Sequence, residues 1–212
     1  MNDVLSLLAA AAMVGSVLLV AGCDGGGEAT PQSEATPAAE EQQPADADSI
    51  FAGLTMNDLA GEPVDLAQRY AGKAVVVVNT ASQCGFTRQY AGLQELHKRY
   101  AEQGLAVVGV PSADFGGQEF DEAEEIAEFC QVNFGVTFDL MERSHVRGED
   151  RIELFARLTD PAHDASEGGE PEWNFEKFII DRQGKLIARY RSRTEPTSEE
   201  MIEAIERALA QG

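Results

Sequence analysis

Cys84 closes the stretch VVVVNTASQCGF, where a run of valines gives way to a Gly-containing turn and then to a helix-forming segment. A thiol at a strand-to-helix junction meets the positive end of a helix dipole and its first free backbone N–H groups, and both favour the thiolate. The thiolate is the nucleophile, so this position suits redox chemistry. A small buried residue closing a strand is the alternative, and position alone leaves it open. The other cysteines are Cys23 and Cys130, and the three histidines, His97, His145 and His163, are scattered. No CxxC is present and no Cys/His cluster has zinc spacing, so no metal and no other cofactor is expected.

Delivering Cys84 to such a junction requires a buried strand before it and a helix after it. Lys73 to Ala81, with four consecutive valines, reads as a strand buried on both faces. Residues 88–101 place Tyr90, Leu93, His97 and Tyr100 on one helical stripe. GLAVVGVP (104–111) is a second buried strand. Asp121, with Glu124 three residues on, has the pattern of a capping box opening the next helix. Residues 175–191 read as two strands joined at Asp181–Gly184. Thr197 and Glu200 predict the cap of a last helix, with Met201, Ile202, Ile205 and Leu209 on its apolar face. Ahead of all these, IFAGLTMNDLAGEPVDL (50–66) predicts a small hairpin turning at residues 60–63. The order βαβα, then ββα, gives an α/β class: a thioredoxin-like fold, with a central mixed sheet flanked by helices and an N-terminal hairpin.

Three segments are expected in the 212 residues. Residues 1–22 carry a mostly Leu, Ala and Val run from Val4 to Val20, then VAGCDGGG, which reads as a secretory signal. Val20-Ala21-Gly22 before Cys23 resembles the lipobox of bacterial lipoproteins, and that resemblance implies cleavage before Cys23 and lipidation of its thiol. The leader begins MND, without the usual Lys or Arg, and the alternative is an uncleaved anchor barely long enough to span a bilayer. Residues 23–49 contain no aliphatic residue larger than Ala, so they read as an acidic, disordered linker. Residues 50–212 form the globular domain. The formal net charge of −21 argues against nucleic acid as a partner. Eight of the acids lie in the first 49 residues, so most of the acidity belongs to the domain.

Within the domain, NTASQCGFTRQYAGLQELHKRY (79–100), FGGQE (115–119) and WNFEKFIID (173–181) resemble, in order and spacing, three motifs of the glutathione peroxidases. The resemblance covers nearly all of residues 50–212 and implies the thioredoxin-like fold and a thiol-dependent peroxidase. It makes Cys84 the peroxidatic residue, and Gln118, Trp173 and Asn174 the family's active-site donors. Two amides and an indole are neutral donors, able to stabilise a thiolate without protonating it. By residue type alone, Gln118 also suits a turn, Trp173 a core and Asn174 a strand cap. Cys130, in EIAEFCQVNFGVTF, sits at packing spacing beside Ile126 and Phe129, but the segment resembles the resolving-cysteine helix of thioredoxin-dependent members. That likeness implies a Cys84–Cys130 disulfide reduced by a thioredoxin-like protein in preference to glutathione. The chain departs from the family at Ser112, Ala113 and Asp114, which stand where many members have Cys, Asn and Gln, and at Asp139, where Pro is usual.

The expected partners are therefore a hydroperoxide, a thioredoxin-like electron donor and, through the lipid anchor, a membrane on its extracytoplasmic side; a monomer is expected. A thiol–disulfide oxidoreductase of the same fold would carry a second cysteine three residues after Cys84, where Thr87 stands. A non-catalytic metal-binding module would carry a second cysteine close by and a His ligand.

Overall fold

The computed structural model describes residues 48–162 and 168–211. The signal segment, Cys23 and nearly all of the linker lie outside the described residues. The elements run β1 (Thr55–Asn57), β2 (Pro63–Asp65), α1 (Leu66–Arg69), β3 (Ala74–Thr80), α2 (Gln89–Tyr100), β4 (Leu105–Pro111), α3 (Ala123–Phe134), β5 (Asp139–Leu140), α4 (Glu153–Leu158), β6 (Lys177–Ile180), β7 (Leu186–Tyr190) and α5 (Glu199–Ala210). β1 and β2 pair antiparallel as the predicted hairpin. The other strands form one mixed sheet in the order β5-β4-β3-β6-β7. β3 is parallel to β4 and antiparallel to β6.

This is the expected thioredoxin-like α/β fold, and its valine run explains the two-sided core. Every residue of β3 is buried. Val75 and Val77 pack with Phe155, Leu158 and Phe178 on one face, while Val76 and Val78 pack with Tyr90, Leu93, Ile126 and Ile205 on the other. A strand covered by helices on both sides has no face to give to polar residues. The β6–β7 turn closes around Asp181, whose carboxylate accepts from Gln183 and Lys185 N–H groups. Gly184 there has φ +80°, and a Cβ would collide with Ser49.

Two predicted helix caps differ in the structure. α3 begins at Ala123 with Glu122 at its N-cap and no side-chain cap bond. Asp121 instead pairs with Arg143 at 3.1 Å, an ion pair that withdraws it from capping. α5 begins at Glu199 with Ser198 at the N-cap, one residue after Thr197, and neither a capping box nor another side-chain cap bond forms. Glu199 and Glu200 lie in its first turn, where the helix dipole favours them. Its buried face is Met201, Ala204, Ile205 and Ala208, with Ile202 and Leu209 at the margins.

Candidate active site

Sheet topology brings three loops to one edge. The segments following β3 and β4 leave the same edge because the two strands are parallel. β6 is antiparallel to β3, so the residues leading into it arrive there as well. Cys84 follows β3, Gln118 follows β4, and Trp173 and Asn174 precede β6.

Cys84 lies in a tight turn before α2, 9% exposed. Thr87 locks that turn: its hydroxyl accepts from the Cys84 N–H at 2.9 Å and donates to the Ala81 carbonyl at 2.8 Å. The Phe86 N–H points at the Cys84 sulfur, 3.4 Å away, so a backbone donor faces the thiol as its position suggests. α2 itself starts five residues later, and successive turn bonds link Cys84 to it.

The Gln118 loop is tied to that turn twice. The Gln83 N–H donates to the Gln118 carbonyl at 2.9 Å. One oxygen of Glu119 accepts from the Ser82 N–H at 3.2 Å and from the Phe120 N–H at 2.9 Å. Burial pushes the Glu119 carboxyl above its ordinary value, against the lowering effect of these donors. Gly116 and Gly117, with φ +73° and +64°, reverse the chain ahead of Gln118.

Asn174 is fully buried, and its Nδ2 donates to Gln118 Oε1 at 3.2 Å. An amide group has two N–H donors, so one is left for a ligand. The turn carrying Asn174 is held from below by Asn79, the one polar amide in β3. Asn79 Nδ2 donates to the Trp173 carbonyl at 3.0 Å, its Oδ1 accepts from the Glu176 N–H at 2.9 Å, and its backbone carbonyl accepts from the Phe175 N–H at 2.7 Å. Phe175 adopts φ +64°, a left-handed conformation costing a non-glycine residue roughly 1–2 kcal/mol. Glu176, buried with Arg189 at 2.8 Å and Arg191 at 3.1 Å, also accepts from the Glu172 N–H and fixes the segment from its other end.

Trp173 is 39% exposed, so it sits at the rim and not in the core; its ring lies 5.7 Å from that of Phe115. Cys130 is fully buried on α3, in the same apolar cluster as Cys84. Burial pushes its thiol up to about 11, opposed by a contact with Tyr90 and aided to a lesser extent by the Glu119 charge. Both thiols are free. A cleft of about 710 Å³ between the hairpin and α3 has Cys130, Phe138 and Met141 in its lining, but none of Cys84, Gln118, Trp173 or Asn174. Among the described residues no His, Cys, Asp and Glu cluster is arranged to hold a metal.

The structure thus joins the Cys84 turn, Gln118 and Asn174, sets Trp173 at the rim and keeps Cys130 inside the adjoining core. Sequence reasoning missed Asn79, Thr87 and Glu119. Asn79 had a signal: a buried amide among valines must find partners.

The chain is similar to known proteins in sequence and in fold. Residues 51–159 match the family model described as Glutathione peroxidase. A glutathione peroxidase-like peroxiredoxin, GPX5, of Chlamydomonas reinhardtii is 45% identical over 70% of this chain and 90% of its own. The hydroperoxy fatty acid reductase gpx1 of Synechocystis is 42% identical over 78% of this chain and 99% of its own. The crystal structure of Trgpx in apo form superposes with a TM-score of 0.58 at 37% identity, covering 76% of this chain and 97% of that one.

Proposed function

From the premise that the chain belongs to the glutathione peroxidase family and is a thiol-dependent peroxidase, we propose that Cys84 reduces hydrogen peroxide and organic hydroperoxides and that Cys130 resolves the product. The Cys84 thiolate attacks the distal peroxide oxygen, the O–O bond breaks, and the departing oxygen takes a proton to leave as water or alcohol. Cys84 is left as a sulfenic acid. The Cys130 sulfur then displaces water from Cys84, forming a disulfide that a thioredoxin-type dithiol reduces by exchange.

The observation that carries this reading is the Gln118–Asn174 hydrogen bond, which joins neutral donors from two separate loops, one of them bonded through its backbone to the residue before Cys84. Gln118, Asn174 and the indole N–H of Trp173 are assigned to hold the peroxide and stabilise charge on sulfur and leaving oxygen. Thr87 stands where a dithiol oxidoreductase has its second cysteine, and its hydroxyl is committed to the turn. The deciding assay follows peroxide consumption with a thioredoxin-type dithiol and, separately, with glutathione. Turnover with the dithiol and little with glutathione is expected; the reverse would remove Cys130 from the cycle.

Gln118→Ala and Asn174→Ala should each slow oxidation of Cys84 by roughly a hundredfold, the scale on which a single preorganised donor acts. Stopped-flow measurement of the first oxidation tests this. Unchanged rates in both variants would make the pair purely structural.

The same proposal extends to placement. Residues 1–22 act as a cleaved signal and residues 23–49 as a tether from lipidated Cys23, holding the domain, as a monomer, at the extracytoplasmic face of a membrane. The sequence VAGC and a linker with no aliphatic residue larger than Ala support it. The mature protein should partition with membranes, and Cys23→Ser should release it. An intact mass with Cys23 unmodified and the leader retained would overturn the placement.

A further inference from the structure

Asp114 is one of the positions at which the chain departs from its family, and the structure shows what it does. Its side chain is largely buried. Oδ1 lies 2.6 Å from His145 Nδ1, and Oδ2 accepts from the Val146 N–H at 2.7 Å and the Arg147 N–H at 3.2 Å. Burial alone would raise this carboxyl, but the His145 bond and the two backbone donors outweigh it and hold it below its ordinary value. One carboxylate therefore pins residues 145–147 against the loop that leads to Gln118.

The consequence falls on Arg147. Its guanidinium carbon sits 5.3 Å from the centre of the Phe115 ring, and the Trp173 ring lies against the same ring at 5.7 Å. Phe115 is buried, while Arg147 and Trp173 are exposed. Arg147 and Trp173 thus share one buried ring, and Trp173 is next in sequence to Asn174, whose amide bonds the Gln118 side chain beside the Cys84 turn. Arg143 and Arg151, on either side of Arg147 in sequence, are paired with Asp121 and Glu170. Arg147 has no carboxylate within ion-pair distance among the described residues. A planar guanidinium, braced on a ring and free on its outer edge, suits bidentate recognition of a carboxylate.

Resting on the peroxidase reading of Cys84, we propose that Arg147 is a specificity-determining residue for hydroperoxides that carry a carboxylate: it takes the carboxylate while the chain crosses Trp173 and the peroxide group reaches Cys84. The carboxylate is unchanged in the reaction, which remains transfer of one peroxide oxygen to the Cys84 sulfur and release of the alcohol. The domain as a whole repels anions, so the attraction is local; at ordinary ionic strength distant charges are largely screened and the nearby cation is not. Hydrogen peroxide offers Arg147 nothing to bind and serves as the internal reference.

The test measures the first oxidation of the reduced full chain by a long-chain hydroperoxy fatty acid, by its methyl ester and by hydrogen peroxide, in the same nonionic detergent. The wild-type protein should react with the acid about tenfold faster than with the ester, a preference that shrinks as salt is added. Arg147→Ala should bring the acid-to-ester ratio close to one, Arg147→Lys should keep part of it, and Arg147→Glu should invert it. Equal wild-type rates for acid and ester overturn the proposal, as does an Arg147→Ala variant slowed equally toward all three peroxides. A wild-type protein that reduces hydrogen peroxide but shows no acid preference loses this inference alone. One inert to every peroxide loses the peroxidase reading with it.

Discussion

Cys84→Ser is expected to abolish peroxide reduction, with turnover falling by at least roughly a thousandfold. The reaction needs a sulfur nucleophile that can expand its bonding to oxygen and later surrender it, and a serine hydroxyl does neither. The substitution is otherwise mild. The turn is held by the Cys84 N–H on Thr87 and by Thr87 on Ala81, bonds that do not involve the sulfur. Thermal unfolding should therefore stay near that of the parent while activity disappears, which separates lost chemistry from lost fold. Cys130 cannot substitute: it is buried within the core, and burial pushes its thiol up to about 11. Substantial activity in the Ser variant would leave the site without its nucleophile and remove the basis of the mechanism.

Cys130→Ser should produce a different failure. The variant should react once with peroxide at the parental rate, stop at the sulfenic acid, and lose turnover with the thioredoxin-type dithiol. The sulfenic acid is trapped by a dimedone-type reagent and seen by mass. In the parent, one equivalent of peroxide should instead give a Cys84–Cys130 disulfide on peptide mapping. A thiol this buried must be uncovered to be attacked or to attack. α3 has reason to yield: Glu124, Glu125 and Glu128 have no ion pair among the described residues, and Glu124 and Glu128 repel at i,i+4 spacing. Amide exchange should accelerate over residues 121–133 on oxidation and stay slow in β3 and β4. Free thiols at both positions after stoichiometric peroxide would make Cys130 a packing residue.

The strands were legible because burial on both faces leaves an unbroken apolar run, and VVVVNT and LAVVGVP have few other readings. Cys84 was legible from its place at the end of such a run. Helix starts were less so. A capping box is a local pattern, and at Asp121 a distant arginine claimed the carboxylate. Trp173 was ambiguous by type, since a core and a rim both accept an indole; only the turn built on Asn79 places it outward. Asp114 was visible as an oddity but not as a function, because its partners lie more than thirty residues away in a loop whose position no local pattern encodes.

Asn79 has a kinetic consequence. By binding the Trp173 carbonyl, the Glu176 N–H and the Phe175 N–H, it roots the Asn174 turn in the central strand of the sheet. The oxidative half of the cycle then proceeds on a framework that need not rearrange, with a shallow dependence on temperature. In the cycle proposed above, resolution by Cys130 waits for a helix to open, and opening rates of this kind rise about three- to sixfold for every 10 °C. The two halves are therefore expected to drift apart on cooling, with the sulfenic acid standing longer before Cys130 reaches it. In the cold the hazard to the protein is a second equivalent of peroxide, which carries Cys84 on to the sulfinic acid and out of the cycle.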